Sequence, residues 1–170
     1  MTKLKYIDMK TIVLYPGTFS PFHIGHLNII QKSEKIFGIN STVVAMGINP
    51  DKIAKLVGIT KDEYIKKKEI EASILSKKLG REVVVYYDFL HQLVERYEAL
   101  KLNVVVVRGL RNGHDLDYEV NQLRFVSDFK KNVNVVYITC DKEFEHISSS
   151  AIRKIEEFGG HEMSKQYLIE

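Results

Sequence analysis

His23 and His26 stand three residues apart in the stretch GTFSPFHIGH (17–26), behind a glycine, a threonine and a Ser-Pro turn. An imidazole can coordinate a metal, donate an N–H to a phosphoryl oxygen, or simply pack, and its surroundings decide which. Two histidines alone do not complete a zinc site, and the HExxH spacing is absent. At the opening of a helix the two rings share one face. The helix start would add free backbone N–H groups and the positive end of the dipole, both suited to phosphate. Gly17 would let the backbone come close to a ligand, and Gly25 would keep a side chain out of the approach. The stretch reads as a cradle for an anion.

Three other stretches carry chemistry of the same kind. In RGLRNGHDLDYE (108–119), Arg108 and Arg111 flank Gly109, and guanidinium forks suit phosphate in bidentate geometry. Asp115, Asp117 and Glu119 follow, and some of them are expected to cap the next helix. In HISSSAIRK (146–154), three serines open a helix, either as caps or as hydroxyl and amide donors to a polyphosphate, with Arg153 one turn on. Lys52, in NPDK, either reaches a second phosphate or is a solvated lysine. Cys140 ends a β-branched run and reads as a small core residue; as the single cysteine it excludes an internal disulfide and a multi-cysteine zinc site.

The elements that must position these groups are short β-branched runs alternating with helical patterns. Strands are expected at 11–15, 41–48, 82–87, 103–107 and 134–139. Helices are expected over 26–38, about 60–79 (opened by a TKDE capping box and closed by Gly80), 88–101, 115–131 and 149–160, the last opened by serines. The tail 161–170 reads as a short helix or frayed end, and the lysines at 66–68 as a solvated face. Near-continuous β-branched strands, each followed by a helix, imply a doubly wound α/β fold with a five-stranded parallel sheet. In the order 3-2-1-4-5 the winding reverses between strands 1 and 4, so the histidine and arginine loops meet at the carboxyl edge where such sheets bind ligands.

The 170 residues fit one domain spanning 1–170. With 25 Lys+Arg against 22 Asp+Glu the net charge is +3, a mild excess that suits phosphorylated small molecules and argues against a duplex-binding face. No apolar run approaches the length of a membrane span, and MTKLKYIDMK lacks the apolar segment of a signal peptide, so a cytoplasmic enzyme or binding domain is expected.

YPGTFSPFHIGHLNII, VVRGLRNGHDLDYEVNQ and HISSSAIRK, in this order and spacing, resemble the nucleotidyltransferases with a (T/H)xGH signature. More narrowly, RGLR followed by DYE, together with ISSS, resembles the phosphopantetheine adenylyltransferase family over roughly residues 11–160. The resemblance implies a Rossmann-like nucleotidyltransferase fold and transfer of adenylyl from ATP to 4′-phosphopantetheine, with Mg²⁺ held mainly by ATP phosphates and a homohexameric assembly. It implies that Thr18 and His26 face the reacting phosphates, His26 as the catalytic group. Thr18, Lys52, Leu90 and Arg108 would hold the acceptor. Thr18, Phe19, His26, Gly109, Leu110, Arg111, Glu119, Phe144, Glu145, His146, Ile147, Ser148, Ser149 and Ser150 would hold ATP.

His23 stands where that family usually has threonine, and Ser20 where it usually has aspartate. The stretch 53–66 is longer than usual, and these departures surround the acceptor side. Transfer to another phosphorylated acceptor such as nicotinate mononucleotide is the alternative. A catalytically silent coenzyme A sensor and an RNA-binding surface are the readings from other classes.

Overall fold

The computed structural model describes residues 10–48, 58–130 and 132–169. Lys52 and residues 53–57 of the long 53–66 stretch lie outside them. The strands are β1 (Thr11–Gly17), β2 (Thr42–Gly47), β3 (Val83–Tyr86), β4 (Asn103–Leu110) and β5 (Asn134–Thr139). The helices are α1 (Ile24–Phe37), α2 (Lys61–Leu79), α3 (Leu90–Ala99), α4 (Gly113–Phe129), α5 (Ser149–Glu157) and α6 (His161–Lys165), with a 3₁₀ turn at Lys142–Phe144. The sheet is fully parallel, as the alternation of strands and helices implies, and its order is β3-β2-β1-β4-β5, the one assumed from the sequence.

Strand alternation divides the core in two. Val13, Tyr15, Val44, Met46 and Val107 face α1 and α2, where Ile29, Ile30 and Leu75 cover them. Leu14, Val43, Ala45, Val104 and Val106 face α3, which contributes Leu93 and Val94. Val13, Leu14, Val44, Val106 and Val107 are fully buried, each stabilising the fold by about 1.5–3 kcal/mol relative to exposure. α4 lies against β4 and α3, yet none of its residues is buried.

The capping chemistry at α2 follows the sequence. Thr60 Oγ1 accepts from Glu63 N at 3.2 Å, Glu63 Oε2 accepts from Thr60 N at 2.8 Å, and Gly80 ends the helix at φ 61°. At α4 it does not. Asn112, and none of the acidic residues, is the cap, its Oδ1 accepting from His114 N and Asp115 N. The lysine run is not wholly solvated either: Lys68 is buried, pairing with Glu71 and lying 5.9 Å from the centre of the Tyr64 ring.

One boundary matters for the site. β4 runs on to Leu110, because Arg108, Gly109 and Leu110 pair with Tyr137, Ile138 and Thr139. The arginine expected in a loop is therefore fixed on a strand, on the face that carries Val104 and Val106.

Candidate active site

At the carboxyl edge, between β1 and β4, lies a crevice of about 430 Å³. Its walls include Thr18, Phe19, His23 and His26 from the first loop, Arg108 to Arg111 from the second, and Phe144 and Ile147 to Ser150 from the third. A second cavity of about 680 Å³ opens beside it, with Leu90, Leu123, Val126, Phe129 and Val135 in its walls. Gly17, Thr18, Arg108, Tyr118 and Glu119 line both. Glu145 and His146 do not line the crevice: Glu145 is exposed at the end of the 3₁₀ turn, and His146 packs edge-on to Tyr167 with ring centres 6.0 Å apart.

His23 caps α1 and is 4% exposed; its ring stacks on His26 with centres 3.5 Å apart and planes 23° apart. His26 Nδ1 accepts a hydrogen bond from His23 N at 3.2 Å. A neutral imidazole whose Nδ1 accepts must carry its proton on Nε2. Burial, then the neighbouring His23 and Arg111, hold His26 well below the ordinary histidine value. Burial, then Arg111, push His23 down to about 4. Both rings are therefore neutral at pH 7, and His26 is a donor through Nε2. Phe19, buried with φ 44°, sets its ring edge-on to His26 at 5.0 Å, and Phe22 lies at 5.1 Å. The aromatic packing fixes the imidazole and contributes to the burial that lowers its proton affinity.

Gly17, Gly25 and Gly109 all line the crevice, and each is also crowded from within the protein. A Cβ on Gly17 would fall 2.8 Å from the Phe19 ring, one on Gly25 3.1 Å from His23 Nδ1, and one on Gly109 2.9 Å from Ile29 Cγ1. These positions make room for the protein's own side chains. The helix start is also less open than expected. Ile24 N donates to Tyr167 O at 2.9 Å, and the N–H groups of His26 and Leu27 both go to His23 O.

Arg108 and Glu119 are paired with each other. Nε and Nη2 of Arg108 donate to the two Glu119 oxygens at 2.5 and 2.6 Å, while Nη1 donates to Pro16 O at 3.1 Å. The residue expected on the acceptor and the one expected on ATP thus form one fork in the wall between the cavities. Arg111 forks onto Asp115 at 2.9 Å, and that guanidinium holds the Asp115 carboxyl below its usual range. The serine side chains serve the fold: Ser148 Oγ accepts from Ala151 N at 3.1 Å and Ser149 Oγ donates to Pro21 O at 2.8 Å. Arg153 Nη1 donates to Ser20 O, so the third loop clamps the first. Leu110 is buried and Gly109 faces α1, both in the crevice wall. Cys140 is buried in the core, as its run of neighbours suggests, and also borders the crevice.

Sequence reasoning did not include Tyr15, Ile29, Asp115 or Tyr118 in this wall. Tyr15 had a readable signal: it lies two residues before Gly17, so strand alternation puts both on one face.

The cytidylyltransferase-like family matches residues 14–155. A phosphopantetheine adenylyltransferase of a Cyanothece species is 29% identical over 149 residues, which span 88% of this chain and 81% of that protein. One from Clostridium botulinum is 29% identical over 152 residues, 89% of this chain and 85% of that protein. Among solved structures, a Vibrio parahaemolyticus protein provisionally assigned as a nicotinate-nucleotide adenylyltransferase superposes with a TM-score of 0.62 at 16% identity, covering 95% of this chain and 88% of that one, a likeness of fold. With its fold, its three motifs and a match spanning most of its length, the chain belongs to the cytidylyltransferase-like family and is a nucleotidyltransferase.

Proposed function

We propose that the protein transfers the adenylyl group of ATP to 4′-phosphopantetheine, giving dephospho-coenzyme A and pyrophosphate. The observation that carries this is the pair of cavities meeting at Thr18, Arg108 and Glu119 beside His26. ATP would occupy the polar crevice between the histidine, arginine and serine loops, with the N-terminus of α5 beside its phosphates. The acceptor's arm would lie in the second cavity against Leu90 and the aliphatic residues of α4, its phosphate at the shared wall. Lys52 remains a proposed acceptor contact on the resemblance alone.

The reaction needs no protein nucleophile. An acceptor phosphate oxygen attacks the α-phosphorus of ATP, a new P–O bond forms, and the bond to the β-phosphate oxygen breaks with release of pyrophosphate. Catalysis then consists of bringing two anions together and stabilising the charge that develops on the α-phosphoryl oxygens. His26, neutral and donating through Nε2, supplies one fixed hydrogen bond there without exchanging a proton. Arg108 steers the acceptor phosphate, and Glu119 holds the guanidinium in its plane.

Among the described residues no group of three His, Cys, Asp or Glu could hold a metal ion. The crevice carboxylates Asp115 and Glu119 are each committed to an arginine. These residues fit Mg²⁺ held mainly by ATP phosphates and water, where it would neutralise phosphate charge.

The second reading, transfer to nicotinate mononucleotide, draws on His23 in place of the usual threonine. The second cavity weighs against it. Leu90, Leu123, Val126, Val133 and Val135 line this cavity, and these walls suit an aliphatic arm better than a nicotinate carboxylate. The proposed assembly is the homohexamer the resemblance implies.

Protein incubated with ATP, Mg²⁺ and 4′-phosphopantetheine should release pyrophosphate, and nicotinate mononucleotide should support far less. His26→Ala should lower kcat by about 10²–10³-fold, the range for loss of one oxyanion donor, with little change in Tm. Undiminished turnover in His26→Ala, or turnover with nicotinate mononucleotide alone, would contradict the proposal.

A further inference from the structure

The chain ahead of α1 is held by a segment that none of the sequence motifs includes. Leu168 forms an antiparallel bridge with His23, and Tyr167 O accepts from Ile24 N at 2.9 Å. The Tyr167 ring also meets His146, which belongs to the third loop. This stretch is anchored on both sides. Before it, Ser164 is 2% exposed and its Oγ donates to Glu156 Oε1 at 3.1 Å. After it, Ile169 packs on the core cluster and its carbonyl accepts from Lys78 Nζ at 3.1 Å.

We infer that Tyr167 and Leu168 form a strap that positions His26. They are positioning residues, acting through His23 and Ile24. The chain of contacts is short. The bridge fixes the backbone at His23, and that residue's N–H is the donor that His26 Nδ1 accepts. The direction of this N–H therefore decides which imidazole nitrogen carries the proton and where Nε2–H points. The strap also takes the first N–H of α1. At the other end of the loop, Ser149 and Arg153 of α5 hold Pro21 and Ser20. The loop is thus tied at both ends by the last part of the chain. A catalytic hydrogen bond misplaced by an ångström loses much of its effect, so the strap should act on kcat more than on substrate binding.

The test uses Ile24→Pro. Ile24 is the first helical residue and His23 is extended (φ −142°, ψ 169°), so proline fits α1 while removing the N–H given to Tyr167. Ile24→Val keeps the N–H and is the conservative control. A second variant ends the chain after Gln166. The inference rests on the adenylyl-transfer reading, so one readout is independent of turnover: the ¹⁵N–¹H imidazole correlations of His26 in the free protein. The strap predicts a single Nε2–H tautomer in wild type and Ile24→Val, and mixed tautomers in the two strap variants. It also predicts a kcat about tenfold lower, with both KM values within twofold. A wild type inactive with every acceptor would remove the reading, while the imidazole spectrum would still decide the strap. Strap variants that fold with the wild-type His26 tautomer and kcat would overturn the inference. So would failure of both to fold while Ile24→Val folds, since the segment would then serve folding alone.

Discussion

At the scale of single residues, the site is built from groups whose charge is already balanced. His23 and His26 are neutral, and Arg108 and Arg111 each meet a carboxylate before any substrate arrives. A buried histidine that stays neutral has a consequence for pH. The free side chain titrates near 6.5, whereas His23 in the fold is held at about 4. Below pH 6.5 the unfolded chain therefore binds more protons, and stability is lost as pH falls toward 4, by up to about 3 kcal/mol for this group. Urea unfolding should show wild type losing stability between pH 8 and pH 5 by about 2 kcal/mol more than His23→Thr does. Parallel pH profiles for the two proteins would contradict the assignment. The histidine spacing and the arginine pair were legible because their residue types declare their chemistry. The Arg108–Glu119 fork was not, because it joins a strand to a helix 11 residues on, and neither partner's sequence position specifies the other.

At the scale of elements, the β-branched runs and Gly80 made the strands and the end of α2 readable, since both depend on local backbone preference. The end of β4 depends instead on pairing with β5, which no local pattern records. The same holds for Lys68, whose burial is set by packing around α2, and for the tail, whose bridge to His23 has no periodicity to reveal it. Gly109 illustrates the difference. It was legible as a crevice residue, but its close packing against Ile29 and Tyr15 was not. Gly109→Ala should cost about 1–3 kcal/mol of stability through overpacking. In an Ile29→Ala background, which removes the nearest atoms, that cost should fall by about 1 kcal/mol. An unchanged cost in the double-mutant cycle would mean that the glycine serves something other than this contact.

At the scale of the whole molecule, the parallel sheet brings three loops to one edge; the alternation of strands with helices made the doubly wound class legible, while the order 3-2-1-4-5 was an assumption that the structure bears out. The exposed aromatic residues of α4, which also line the second cavity, were not anticipated. Tyr118, Phe125 and Phe129 are exposed at 63–67%, and Phe129 lies 6.0 Å from Phe89 and 5.5 Å from His91 in a stacked row. A contiguous apolar face of this kind marks a ligand groove or an association surface, and here its rim would meet a neighbouring chain in the proposed assembly. Sedimentation should find the wild type as a multiple of its 19.6 kDa chain, six in the proposed assembly, and Phe129→Asp should shift it to smaller species with the fold retained. A wild type that sediments as a single chain would contradict the assembly.

The central claim is that one crevice edge holds both reactants, with His26 on the reacting phosphate and Arg108 on the acceptor's. It is tested most directly by a crystal structure with a non-hydrolysable ATP analogue and 4′-phosphopantetheine bound together. The expected result places the α-phosphorus within hydrogen-bonding reach of His26 Nε2, and the acceptor phosphate beside Arg108 with its arm in the second cavity. An acceptor bound elsewhere, with its phosphate out of line with the α-phosphorus, would contradict it.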